Sequence, residues 1–127
     1  MAFLEVDMFR FQKLEIYHLA KDLVKKNYQL IKKFPSEEKF VLIQQMNRAA
    51  ISVPSNIVEG VSRYSDKEKI HFLSISYGSL MELICQMEIS LELKYINQVE
   101  YDDFIKNAKI LSVKISNFIN ALKNNNQ

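Results

Sequence analysis

The sequence predicts an all-α fold, four helices packed as one bundle, on three observations. Its 127 residues include only two glycines and two prolines. That is too few for the tight turns of a sheet, so long helices with few connections follow. Apolar residues recur at steps of three and four along most of the chain, the period of a helix face. Two stretches, residues 70–91 and 104–122, hold that alternation without a break, which is the seam of left-handed bundle packing.

Composition bounds the rest. With 48% hydrophobic and 25% charged residues, the chain has the make-up of a soluble globular protein, and 127 residues read as a single domain, 1–127, able to bury a core without disulfides or metal. Cys85 is the only cysteine, so neither an intramolecular disulfide nor a cysteine metal cluster is expected, and a reduced, cytoplasmic setting follows. The opening MAFLEVDMF carries acidic residues where a leader needs basic ones. No apolar run approaches the roughly 20 residues of a membrane span. The net charge of +2 permits nucleic-acid binding without demanding it.

The first helix is expected over about 10–34. Ile16, Ala20, Leu23, Leu30 and Phe34 recur at helical spacing, with Asn27 in the gap. The polar side is rich in lysine: Lys21, Lys25, Lys26, Lys32 and Lys33. The pair Lys25 and Lys26 repeats as Lys32 and Lys33 seven residues on, about two turns, so both pairs are placed on one side. Such a face reads either as a solvated basic surface or as one that contacts phosphates.

Pro35 ends that helix, and Ser36 is the expected N-cap of a second over about 37–59, with Glu37 and Glu38 at its dipole-positive end. Leu42, Ile43, Met46, Ala49, Ala50, Val53 and Ile57 share one face, and Phe40, Ile51 and Val58 form a separate apolar edge beside it. Together they cover roughly 200°, more than a two-layer bundle needs to bury, which reads either as an unusually central helix or, the favoured reading, as one that meets another subunit. Its remaining side is polar but carries little charge: Gln45, Arg48, Ser52, Ser55, Asn56 and Glu59. Arg48, Ser52 and Glu59 fall on one stripe, yet Arg48 and Glu59 are about 16 Å apart along the axis and cannot pair directly. Pro54 frees the carbonyl of Ala50, and Ser52, Ser55 and Asn56 stand close enough to satisfy freed groups. These residues read as a structural polar network at a subunit junction, with a ligand site as the alternative. Gly60 is placed just past the helix, at the C′ position.

Ser65 and Glu68 form a capping box for a third helix over about 66–95. Before it, Arg63 and Tyr64 offer a charge and an aromatic ring at a loop tip, a weak signal for nucleic acid. The third helix carries the seam Ile70, Leu73, Tyr77, Leu80, Ile84, Met87 and Leu91, while Gly78 and Ser74, Ser76 and Ser79 would admit close neighbours on other faces. Asn97 and Glu100 cap a fourth helix, about 98–123, with the seam Phe104, Ala108, Leu111, Ile115, Phe118 and Leu122. Lys106, Lys109, Lys114 and Lys123 lie on it with no acidic residue from Phe104 onward. The closing NNNQ reads as a frayed tail.

Catalytic constellations are not found. His18 and His71 fall on different helices, and neither has a Cys at ligand spacing. Phosphate loops, dinucleotide fingerprints and nucleophile elbows are missing. Glu82 and Glu88 read as partners for basic residues, and Met46, Met81 and Met87 as filler of the core or of an interface. No enzyme, cofactor or metal is expected.

One long stretch carries a resemblance. FPSEEKFVLIQQMNRAAISVPSNIVEG, followed by HFLSISYGSLMELICQMEISLEL, resembles the four-helix-bundle proteins encoded by intervening sequences in bacterial large-subunit ribosomal RNA genes. The likeness runs from about Phe11 to Leu122. RAAISVPSNIVEG is its specific part, with Val53 and Val58 as mild departures, and GSLMEL is a second signature through Gly78, Ser79, Leu80 and Glu82. The resemblance implies an antiparallel up-down-up-down bundle that assembles as a homopentamer with a basic outer surface. It also implies kinship with an accessory protein of diversity-generating retroelements that binds nucleic acid and a reverse transcriptase.

Two functions of different class are therefore expected. The first is a non-enzymatic oligomer that binds RNA or DNA through Lys21, Lys25, Lys26, Lys32, Lys33, Lys106, Lys109 and Lys114, assisted by Arg63. The alternative is a pentameric scaffold that docks another protein. In both, Arg48, Ile51, Ser52, Asn56, Glu59, Ser79 and Glu82 are placed at the subunit junction or in its polar network.

Overall fold

The computed structural model describes residues 8–125. The amino-terminal stretch considered as a leader falls almost wholly outside them, as does the end of the NNNQ tail. Four helices are present among the described residues: α1 (Glu15–Ile31), α2 (Leu42–Val61), α3 (Asp66–Glu92) and α4 (Gln98–Asn124). Each packs on its neighbours in chain order, and α4 closes the ring onto α1; the backbones of the diagonal pairs do not approach closely. Contacts descend along one helix as they ascend along the next. Met46 meets Ser90 while Val53 meets Ser76, and Glu15 meets Lys114 while Lys26 meets Asp103. The result is an antiparallel four-helix bundle, as expected.

The core is formed by one stripe from each helix. In α1 it is Ile16, Ala20, Leu23, Asn27 and Ile31, so the polar Asn27 occupies a core position. Met46, Val53 and Ile57 of α2, Leu73, Leu80, Leu83 and Met87 of α3, and Phe104, Leu111 and Ile115 of α4 are fully or almost fully enclosed. Each contributes about 1.5–3 kcal/mol by leaving water. The most extensive contact is α2 with α3, where side chains are small: Ala49, Ala50 and Gly60 on one helix, Ser76 and Ser90 on the other. Ser76 donates to the Val53 carbonyl at 2.7 Å and Ser90 to that of Gln86 at 2.8 Å, so neither hydroxyl is buried unpaired.

Several boundaries differ from expectation. Helix α1 starts at Glu15, because a 3-10 turn, Arg10–Lys13, precedes it and Leu14 between them is extended. It ends at Ile31 instead of 34, since the residue before Pro35 avoids helical geometry. Ser36 does not cap α2: Ser36–Glu38 form a short 3-10 turn and α2 starts at Leu42. Gly60 lies inside α2 with ordinary helical geometry, and no glycine has positive φ. A Cβ there would stand 3.2 Å from Leu73 Cγ and 3.2 Å from the Lys69 carbonyl, so close helix approach, not helix termination, requires glycine. The C′ role belongs to Lys94 at the end of α3, with φ 63°. There Tyr95 N–H donates to Ser90 and Lys94 N–H to Leu91, the Schellman pattern.

The buried stripe of α3 is also rotated from the expected seam. Leu73, Ser76, Leu80, Leu83, Gln86, Met87 and Ser90 are buried, whereas Ile70, Tyr77, Ile84 and Leu91 are half-buried at its flank. The helix is apolar or small on most sides, so periodicity alone left its orientation undetermined. The caps of α3 and α4 stand where expected. Ser65 accepts from Glu68 N–H, and Asn97 and Glu100 complete a reciprocal box.

Candidate nucleic-acid interface

The lysines of α1 divide into two sets. Lys21, Lys25 and Lys32 fall within about 40° of one another around the axis, and Lys26 and Lys33 lie about 100° further round. The two members of each doublet therefore face different neighbours, the second of each turning toward α4. Lys26 pairs with Asp103 at 2.8 Å and Lys33 with Glu100, both on α4, while Lys114 of α4 pairs with Glu15 at 2.7 Å. These three pairs clamp α1 to α4. Being partly exposed, each contributes at most about 1 kcal/mol. Among the described residues, Lys25, Lys32, Lys106 and Lys109 enter no ion pair.

Lys21 and Lys25 turn toward α2. There an open cleft of about 810 Å³, walled by α2 and the turn before it with Tyr28 of α1, is continued by a depression of about 370 Å³ between α1 and α2 that shares Ile51 and Ser55. Tyr17, Lys21, Lys25 and Tyr28 stand on the α1 side; Arg48 and Asn56 stand on the α2 side, with Lys39 and Phe40 at the turn leading into α2. None of the described lining residues is a carboxylate. Lys21 Nζ lies 4.5 Å from the centroid of the Tyr17 ring and Lys39 Nζ 5.5 Å from that of Phe40, so cations and aromatic faces alternate along the wall.

The additional apolar edge expected beside α2 is this same wall. Phe40 is 78% exposed and Ile51 44%, so neither is core. Tyr28, Lys39 and Asn47 were not anticipated as site residues. The available signal was Tyr17, Lys21, Val24 and Tyr28 at helical spacing on the exposed side of α1.

A polar chain runs from the cleft across α2. Asn56 Nδ2 donates to the Ser52 carbonyl and Oγ, each at 2.9 Å, and Ser52 Oγ lies 2.7 Å from Ser79 Oγ on α3. The residues near Pro54 thus bond the carbonyls of Ser52 and Val53 rather than that of Ala50. Asn27 Nδ2 donates to Asn47 Oδ1 at 3.0 Å, linking α1 to α2 beneath the cleft. Arg48 and Glu59 are both exposed and need no buried partner. Glu59 pairs with Arg63 at 2.8 Å, and Arg63 also lies 4.5 Å over the Phe72 ring, so its charge is engaged within the subunit. Glu82 accepts from Gln86 at 3.3 Å; neither it nor Glu88 meets a basic side chain among the described residues. Glu100 takes both the Asn97 backbone N–H and Lys33. Those bonds, Lys33 first, hold its carboxyl below the ordinary 4.5.

The fold and the quoted signatures bear directly on kinship. Residues 12–117 match the model of the family described as 23S rRNA-intervening sequence protein. The chain belongs to that family. Its bundle is also similar to a crystal structure from Bacteroides thetaiotaomicron VPI-5482, a protein of unknown function from the S23 ribosomal protein family. The two are 21% identical with a TM-score of 0.76, over 82% of this chain and 97% of that one, a likeness of fold alone. No curated protein matches the chain. Among the described residues no helix of this family member is long and apolar enough to cross a membrane, and no three potential metal ligands gather at one point.

Proposed function

We propose that the protein is a non-enzymatic, oligomeric nucleic-acid-binding module of the cytoplasm that takes phosphate groups on the α1–α2 side of its bundle. The observation that carries this reading is the cleft wall, where Lys21, Lys25, Lys39 and Arg48 gather without a lining carboxylate. Lys32 extends the same side of α1, and Lys106 and Lys109 provide a second unpaired set on α4. Lys26, Lys33, Lys114 and Arg63 serve first as partners of carboxylates within the subunit. Because the family description names the 23S rRNA intervening sequence, a fragment of that RNA is the first ligand to try.

Four phosphate contacts on a single strand give a slope of log affinity against log salt of about −3. Titration of a labelled ribosomal RNA fragment across a salt series measures it. Absence of binding at low salt, or affinity indifferent to salt, defeats the proposal.

Self-association, as a homopentamer by the family resemblance, fits the outer face of α3. Ile75 and Ile89 are each 40% exposed there, and a Cβ on Gly78 would meet nothing within 4 Å. The same apolar strip supports the second reading, a scaffold for another protein. A stoichiometric protein partner recovered without nucleic acid would favour it.

A further inference from the structure

We infer that the cleft between α1 and α2 takes a single-stranded segment of nucleic acid, with bases stacked on Phe40 and Tyr28 and phosphates on Lys21, Lys25, Lys39 and Arg48. The inference rests on the nucleic-acid reading above and narrows it from phosphate binding in general to one class of ligand at one place.

Phosphate contact alone leaves the aromatic side chains of the wall unexplained. Phe40 is 78% exposed and Tyr28 42%, and both line the same cleft. A duplex keeps its base faces stacked internally and offers an exposed aromatic ring nothing to cover. A single strand offers π-faces that aromatic side chains cover at about 1–3 kcal/mol per base, with cations tracking the backbone beside them. The wall also carries amides: Gln44, together with Asn47 Nδ2 and Asn56 Oδ1, the ends of those two amides that the bonds to Asn27 and Ser52 leave over, groups able to donate to or accept from base edges. Along α2 the cleft and its continuation extend from Ile43 to Val58, about 22 Å at 1.5 Å per residue, room for a short run of nucleotides. Positive charge on the wall matches a polyanion.

The test is fluorescence anisotropy on the full chain, with a labelled 12-nucleotide RNA of mixed sequence presented as a single strand and as a duplex. Sedimentation velocity is run on each variant. Phe40→Ala and Tyr28→Ala remove surface rings and leave the core intact; Lys106→Gln with Lys109→Gln alters charge away from the cleft. Each ring removal is expected to weaken single-strand binding about tenfold, with duplex binding and assembly unchanged. Unchanged single-strand affinity in both ring variants overturns the inference while leaving the phosphate reading standing. Failure of the unaltered protein to bind either RNA at low salt removes both. Dissociation of the assembly by Phe40→Ala assigns the cleft to a second copy, and equal loss of polyglutamate binding assigns it to an acidic protein; either result overturns the inference.

Discussion

Single positions show where backbone geometry outweighs side-chain type. Lys94 adopts φ 63° to close the Schellman turn after α3, a conformation that costs a residue with a Cβ about 1–2 kcal/mol. Lys94→Gly is therefore expected to stabilise the fold by about 1 kcal/mol, read as a rise in thermal midpoint; an unchanged or lower midpoint contradicts it. Gly60 presents the opposite case. Alanine there gains up to about 1 kcal/mol in helix propensity but brings a Cβ to 3.2 Å from both Leu73 Cγ and the Lys69 carbonyl, and overpacking costs about 1–3 kcal/mol. Gly60→Ala should lower stability by about 1 kcal/mol in urea denaturation. A gain would show that α2 can move away from α3 without loss.

Helix α3 carries apolar or small side chains on both its inner and its outer side. Its inner stripe contains Ser76, Gln86 and Ser90, while Ile75 and Ile89 face outward. Gly78 on that outward side stands in open space, so Gly78→Ala should stabilise a dilute, dissociated subunit by up to about 1 kcal/mol. If α3 packs on a neighbouring subunit, the same methyl group should weaken assembly. The pair of measurements is denaturation at low concentration and sedimentation velocity at high concentration. Assembly indifferent to Gly78→Ala and to Ile75→Asp places the subunit contact elsewhere. Helix α1 is held differently, by ion pairs to α4 on one side and the Asn27–Asn47 bond to α2 on the other.

For the whole molecule, pH acts through groups that tie elements together. Glu100 caps α4 and receives Lys33 from the end of the first helix. Its carboxyl is held below 4.5 in the folded chain, so the folded state binds that proton less readily than the unfolded one. The resulting stability is present above about pH 4.5 and is lost as pH falls through the lower folded value. At the alkaline end, the bond to Glu38 raises the Tyr95 phenol above 10.0, and burial raises that of Tyr101. Their contribution is present below pH 10 and is lost as pH rises through those raised values. Chemical denaturation across pH should therefore show a plateau bounded by both edges. Glu100→Gln should flatten the acidic edge, and an acidic slope identical to that of the unaltered protein would refute the assignment.

The all-α class, the four helices and the capping residues Ser65 and Asn97 were legible in the sequence, because periodicity and caps are local properties. So was the oddity of the second helix, whose excess apolar edge at Phe40, Ile51 and Val58 lines the cleft and its continuation in the single subunit. Tertiary structure alone decided the facing of α3, whose apolar and small residues surround the helix and leave no preferred direction until neighbours choose one. It reassigned Gly60 from a terminus to a close contact, since only the approach of α3 reveals that constraint. It also divided the lysines of α1 into a set that clamps α4 and a set that borders the cleft. Sequence determines which residues share a helix face; the packing of the other helices determines whether that face meets carboxylates or open space.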